Sequence, residues 1–262
     1  MTAPSTAPGS GPGTGPATAA GDTPRDADSW ARPVDRLTTT ARTSGQDTVT
    51  GRRVSGPVQG FGQMWQKTFS VRVPADEHTP EAVVAHWKAA FPTFWPKGST
   101  FYAPLAGITP GEVALFDVPP VPGSPVKMST GILVIYADRE SFTFMTPEGH
   151  ALSAWITFSA HADAGETVAQ VQALERTADP LIELSYMFGA NRANDRFWER
   201  TLENLARSLG VAAPVVESRK VCVDRRRQWR YAGNVRHSAA VHMAVGTVTA
   251  PARWVRRRRS AG

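Results

Sequence analysis

Between residues 63 and 73 the side chains alternate: Trp65, Phe69, Val71 and Val73 fall on one side, Gln66, Thr68, Ser70 and Arg72 on the other. A period of two predicts a half-buried antiparallel strand. Lys67 breaks the pattern by falling on the apolar side between Trp65 and Phe69. Such a lysine either packs its stem and carries its ammonium out to water at the sheet end, or presents a cation to a ligand cavity. Thr79-Pro80-Glu81 then reads as the capped start of a helix whose apolar residues are Val83, Val84, Trp87 and Phe91, with Pro92 ending it. The aromatic and proline-rich stretches 94–96 and 101–105 suit a rigid rim or lid, or a plug of rings in the mouth of the core.

Further on, 112–118 predicts a short strand and 119–125 a proline-rich loop, followed by a meander over 130–137, 141–146, 152–160 and 166–175. Phe142 and Phe144 alternate with Ser141, Thr143 and Met145; Leu152, Ala154, Ile156 and Phe158 alternate with Ser153, Trp155, Thr157 and Ser159. Strands with one apolar face need something laid across that face. The stretch 179–211 supplies it, with Asp179-Pro180 as cap and first turn, and Trp198, Leu202, Leu205 and Leu209 as a stripe of helical period before Gly210. Leu181, Leu184 and Phe188 form a second stripe, and 189–194 interrupts the two, which predicts a kink or a restart at Asn194 or Asp195.

Composition changes the picture at the ends. Residues 1–56 are rich in Pro, Gly, Ala, Ser and Thr and are expected to be disordered, since they bury too little apolar surface to offset their ordering entropy. They lack the basic and apolar regions of a secretory signal, and no run of apolar residues is long enough to span a membrane. The net charge of +6 divides unevenly: 217–262 carries 12 Lys plus Arg against 2 acids, so the rest is mildly acidic. The expected division is therefore a disordered segment over 1–56, a folded domain over 57–216 and a basic, disordered tail over 217–262. One cysteine, Cys222, rules out an internal disulfide and fits a reducing cytoplasm.

Candidate chemistry is sparse. Glu148 and His150, two apart in the turn 146–150, are candidates for an acid–base pair, with Lys67 a third proton-transfer candidate. Arg225-Arg226-Arg227 and the run 256–259, interleaved with Trp229, Tyr231 and Trp254, fit contact with nucleic acid or an anionic membrane, or a solvated tail. No phosphate-cradling glycine loop, zinc-spaced Cys/His cluster, HExxH or GxSxG occurs, so neither a cofactor nor a metal is expected.

Strand, capped helix, proline-rich region, meander and closing helix together resemble the helix-grip fold of the START and birch-pollen-allergen superfamily (SRPBCC), which includes lipid-transfer proteins and polyketide cyclases. The segments Ser141-Phe142-Thr143-Phe144-Met145-Thr146-Pro147-Glu148-Gly149-His150 and Phe197-Trp198-Glu199-Arg200-Thr201-Leu202 are similar to those of an actinobacterial group related to it. The resemblance covers residues 58–212. It implies an α+β fold, a curved antiparallel sheet packed around a long C-terminal helix. It also implies a cavity walled by Trp65, Phe69, Tyr136, Phe144, Ile156 and Phe158, with Lys67, Tyr102 and His150 as polar accents. Three functions follow as expectations: binding of a hydrophobic small molecule such as a lipid or polyketide-like metabolite, a cyclase- or dehydratase-type enzyme using the same cavity, or an interaction through the basic tail.

Overall fold

The computed structural model describes residues 47–49, 52–119, 127–239 and 241–242. The predicted disorder over 1–56 falls outside them except for 47–49 and 52–56, as do most of the loop 119–125 and the arginine run 256–259. A small antiparallel hairpin, β1 (Asp47–Val49) and β2 (Arg52–Arg53), stands apart from the main sheet. The main sheet contains β3 (Met64–Pro74), β4 (Thr100–Tyr102), β5 (Val113–Val118), β6 (Met128–Ala137), β7 (Ser141–Met145), β8 (Leu152–Asp163), β9 (Glu166–Thr177) and β10 (Val216–Asp224). These are eight antiparallel strands in the order β10-β3-β9-β8-β7-β6-β5-β4.

Local chemistry fixes the connections. Asp138 turns β6 into β7 by accepting the backbone N–H groups of Glu140 and Ser141 on one oxygen, at 2.9 and 2.6 Å. At 163–166, Ala164 and Gly165 both take positive φ (50° and 83°), the geometry of a tight hairpin whose twist matches its strands. Helix α1 (Pro80–Ala90) starts where Thr79 accepts the Ala82 N–H at 3.3 Å, and passes at Phe91 into a 3-10 turn. Asp179 caps α2 (Pro180–Ser185) by accepting the N–H groups of Leu181 and Ile182. A π-helical turn, Tyr186–Ala190, joins α2 to α3 (Asn191–Ser208), and Gly210 (φ 86°) closes α3 as predicted.

The concave face carries the core. Helix α1 lies over β8 and β9, and α3 over β3 and β9, burying Trp198, Leu202 and Leu205. Aromatic rings fill the space between. Phe158 stacks on Phe142 at 4.7 Å and meets Phe91 and Trp198 edge-on at 5.2 and 5.6 Å; Trp95 packs on Phe101 at 5.0 Å. Phe94, Trp95 and Phe101 are buried there, so they plug the core rather than form a lid.

Two expectations need correction. The domain does not end at residue 216. Val216–Asp224 pairs with β3 from Val216↔Val71 onward as the outermost strand, and 229–237 folds back on the sheet as a 3-10 helix. Asn234 donates from Nδ2 to the carbonyls of Gln59 and Ala178 at 3.0 Å each, and Phe61 meets Trp229 edge-on at 5.2 Å. Strand β10 escaped notice because an edge strand is held by backbone pairing and blunted by charges such as Arg219 and Lys220, so it shows no apolar alternation. Tyr136 does not face the interior either. The pairing shifts between Val134↔Phe144 and Tyr136↔Thr143, so Ile135 is an extra residue that reverses the alternation and turns Tyr136 outward, 41% exposed.

Candidate functional site

The inward faces of two adjacent strands each carry a charge near the same end. On β3 the row Val73, Val71, Phe69 continues to Lys67; on β9 the row Ala169, Val171, Ala173 continues to Glu175. Helix α3 lies across both and does the same, since its buried stripe Leu205, Leu202, Trp198 continues to Asp195 and Asn191. The apolar core therefore passes at one end into an ion network. Lys67 Nζ lies 2.8 Å from Glu175 Oε1 and 2.9 Å from Asp195 Oδ1, and donates to Asn191 Oδ1 at 2.6 Å. Lys220 of β10 holds the other Asp195 oxygen at 2.7 Å.

Lys67 and Glu175 are each only 2% exposed, so the lysine does not snorkel to water. Burial alone depresses the Lys67 pKa. The charges and hydrogen bonds of Glu175 and Asp195 outweigh it, so the pKa stands above its usual value. Tyr186, whose ring is 5.8 Å from the ammonium, is pushed well above the usual tyrosine range by burial and then by the same two carboxylates. Both groups keep their protons at neutral pH.

A pocket of about 190 Å³ opens beside this network. Trp65, Leu152, Tyr186 and Met187 give it apolar surface; Lys67, Glu175, Asn191, Glu183, Arg176 and Arg227 give it polar surface. Almost every charge around it is matched. Arg227 Nε donates to Glu183 at 3.0 Å, Thr177 donates to the second Glu183 oxygen at 2.7 Å, and Arg176 pairs with Asp224. Two polar atoms of the lining residues are left over: Arg176 Nε, a donor, and Glu175 Oε2, an acceptor, both buried with no partner among the described residues. A buried carboxylate oxygen left bare is costly, and an occupant able to donate a hydrogen bond removes that cost.

The kink shapes the mouth. Phe188 (φ −96°, ψ 18°) and Gly189 (φ 111°, ψ −7°) leave the helical region, so Met187 and Asn191, both lining the pocket, stand on helical segments of different direction. A Cβ on Gly189 meets nothing within 4 Å, so only its positive φ resists a side chain. Gly189→Ala is expected to cost about 1 kcal/mol, read as a lower urea midpoint at unchanged slope; an unchanged midpoint would show that the kink bears no strain.

Of the residues expected from sequence, only Trp65 and Lys67 line this pocket. Phe69, Phe144, Ile156 and Phe158 are inward and buried as expected, within the aromatic core, and do not line this pocket. Tyr102 is 52% exposed on edge strand β4, where its hydroxyl donates to Asp117 at 3.0 Å. His150 packs its ring against Phe116 at 5.8 Å and accepts the Leu152 N–H on Nδ1 at 2.9 Å; burial lowers its pKa to about 4. Glu148 lies 3.8 Å from His237. Neither lines the pocket that Lys67 borders, so the three proton-transfer candidates do not converge. Glu175, Asp195, Asn191 and Tyr186 were missed. The signal for Glu175 and Asp195 was available: each interrupts an apolar face as Lys67 does, with the complementary charge.

Among the described residues, no group of three or more His, Cys, Asp or Glu side chains is placed to hold a metal ion, and no helix is long and apolar enough to cross a membrane. No family model matches the sequence, and no curated protein matches it. Solved structures with a similar course of chain include the KanY protein, at 13% identity over 55% of this chain and 96% of that one, TM-score 0.42. Another is StfQ, a di-domain ARO/CYC from the steffimycin biosynthetic pathway, at 10% identity over 57% of this chain and 53% of that one, TM-score 0.43. A third is Ara h 8.0201, at 10% identity over 56% of this chain and 97% of that one, TM-score 0.38. The α+β helix-grip arrangement itself is carried by the sheet and helices described above, and what these proteins bind or make is theirs alone.

Proposed function

We propose that this protein binds a small amphipathic molecule, inserting an uncharged end of it into the pocket between β3, β9 and the kinked C-terminal helix. The observation that carries the reading is the bare, buried Oε2 of Glu175 beside the apolar surfaces of Trp65, Leu152 and Met187. Charge decides what the buried end is. Around the pocket the cations Lys67, Lys220, Arg176 and Arg227 are matched by Glu175, Asp195, Glu183 and Asp224. An added full charge of either sign would be uncompensated, which costs several kcal/mol in a buried site. A hydroxyl or amide N–H donating to Glu175 instead gains about 1.5–3 kcal/mol, the worth of a hydrogen bond to a charged partner.

Size supports an end rather than a whole ligand. A volume of about 190 Å³ is below the range usual for drug-sized molecules and accommodates a single ring or short chain. Lipids and polyketide-like metabolites both offer such an end, apolar carbon beside a hydroxyl. Acid–base catalysis fits the same pocket less well. Lys67 and Tyr186 hold their protons too firmly to act as bases near neutral pH, which leaves the ion-paired carboxylates Glu175 and Glu183.

Native mass spectrometry and solvent extraction of the purified full chain test the reading. A co-purifying neutral hydroxyl- or amide-bearing molecule is expected, and tryptophan fluorescence should report its rebinding. Glu175→Gln should weaken rebinding about tenfold or more. Met187→Ser, outside the ion network and 69% exposed, should weaken it without lowering stability. Empty protein whose fluorescence responds to no amphipathic alcohol or amide, or a ligand indifferent to both substitutions, would sink the proposal.

A further inference from the structure

The second stripe, Leu181, Leu184 and Phe188, faces outward. Leu181 and Leu184 are 52% and 50% exposed, Met187 69% and Phe188 83%, while Ile182 alone in this stretch is buried against the domain. Trp229 adds a fifth apolar group, 72% exposed, next to α2: Arg227 reaches Glu183 on α2 at 3.0 Å, and Asn234 holds the Ala178 carbonyl that precedes it. Arginines surround this surface. Arg225, Arg226 and Arg230 are exposed on the segment running beside α2, and Arg192 is exposed one turn beyond Phe188. The nearby acids are already engaged, Glu183 by Arg227 and Thr177, Asp224 by Arg176.

We propose that this face docks on an anionic lipid surface, with Leu184, Met187, Phe188 and Trp229 entering the headgroup boundary and the arginines meeting lipid phosphates. An apolar centre with a basic rim is the chemistry of interfacial binding, and tryptophan favours that depth. Nucleic acid would use the arginines and Trp229 but gains nothing from clustered leucine and methionine side chains. A protein partner would need acids facing the arginines; a second copy offers the same basic rim and repels it. The surface is independent of the ligand pocket except at Met187, which borders both.

Sedimentation of the full chain with phosphatidylcholine vesicles, with and without phosphatidylglycerol, tests the proposal. Binding should require the anionic lipid and fall as salt rises. Arg225→Gln and Arg226→Gln should each weaken it about fivefold, and the pair Leu184→Ser/Phe188→Ser about tenfold or more. All four side chains are exposed, so circular dichroism should not change. The proposal is overturned by a full chain that ignores anionic vesicles, or by vesicle binding that Leu184→Ser/Phe188→Ser leaves intact. Equal retention on duplex DNA or RNA, insensitive to the apolar pair, would also overturn it. So would a dimer that the apolar pair dissociates without any vesicle binding. Because neither pair lines the pocket, failure here leaves ligand rebinding unaffected.

Discussion

Replacing Lys67 with methionine is expected to remove about 3–5 kcal/mol of folding stability near neutral pH. The substitution keeps the stem's volume and takes away the one cation that, among the described residues, is bonded to Glu175 Oε1, while Asp195 retains Lys220 at 2.7 Å. Glu175 is then a buried carboxylate with both oxygens nearly bare, since Asn194 Nδ2 reaches it only at 3.5 Å. A charge left unpaired in the interior keeps its full desolvation cost. Lys67→Met/Glu175→Gln should regain most of the loss, because no unpaired charge remains. Urea unfolding of the single and double variants measures both effects. A single substitution costing under about 1 kcal/mol, or a double variant no better than the single, would mean that the network is not closed as described.

Acid should weaken the native protein through His150. Its pKa is about 4 in the folded chain against 6.5 ordinarily, because burial disfavours the imidazolium, and the bond that a protonated Nδ1 donates to the Leu152 carbonyl, 3.0 Å away, only partly offsets that. A depressed histidine pKa means that the unfolded chain holds more protons between the two values. The stabilisation is therefore complete above pH 6.5 and is lost as pH falls to about 4. A full shift of this size corresponds to about 3 kcal/mol. The ring is only half-buried, so about 2 kcal/mol is expected. His150→Asn keeps an acceptor for the Leu152 N–H without a titrating group, and should flatten that part of the stability profile. If wild type and variant lose stability in parallel between pH 6.5 and 4, His150 is not the cause.

Much of the fold was legible because it is written locally. Asp179 and Gly210 mark the ends of the C-terminal helical run through capping chemistry that operates over a few residues. Strands β7, β8 and β9 start at the predicted residues because a period of two is set by the backbone alone. Strand β10 was invisible because edge pairing needs only backbone groups. The reversal at Ile135 was invisible too, since a bulge exists only relative to a partner strand.

The sequence by itself determined which face of each element is apolar, and it exposed Lys67 as out of place on β3. Only the tertiary structure decided that Glu175, opposite Trp65 one side-chain step along, and Asp195 on the helix above, 108 and 128 positions further along, meet that lysine. It also decided that α1 and its trailing rings pack against the aromatic strand faces, and that the pocket beside Lys67 lies at the kink. Periodicity fixes the direction of a side chain relative to its own backbone. What stands opposite is fixed by how distant segments pack, and a charge's cost or use in the interior depends on that partner alone.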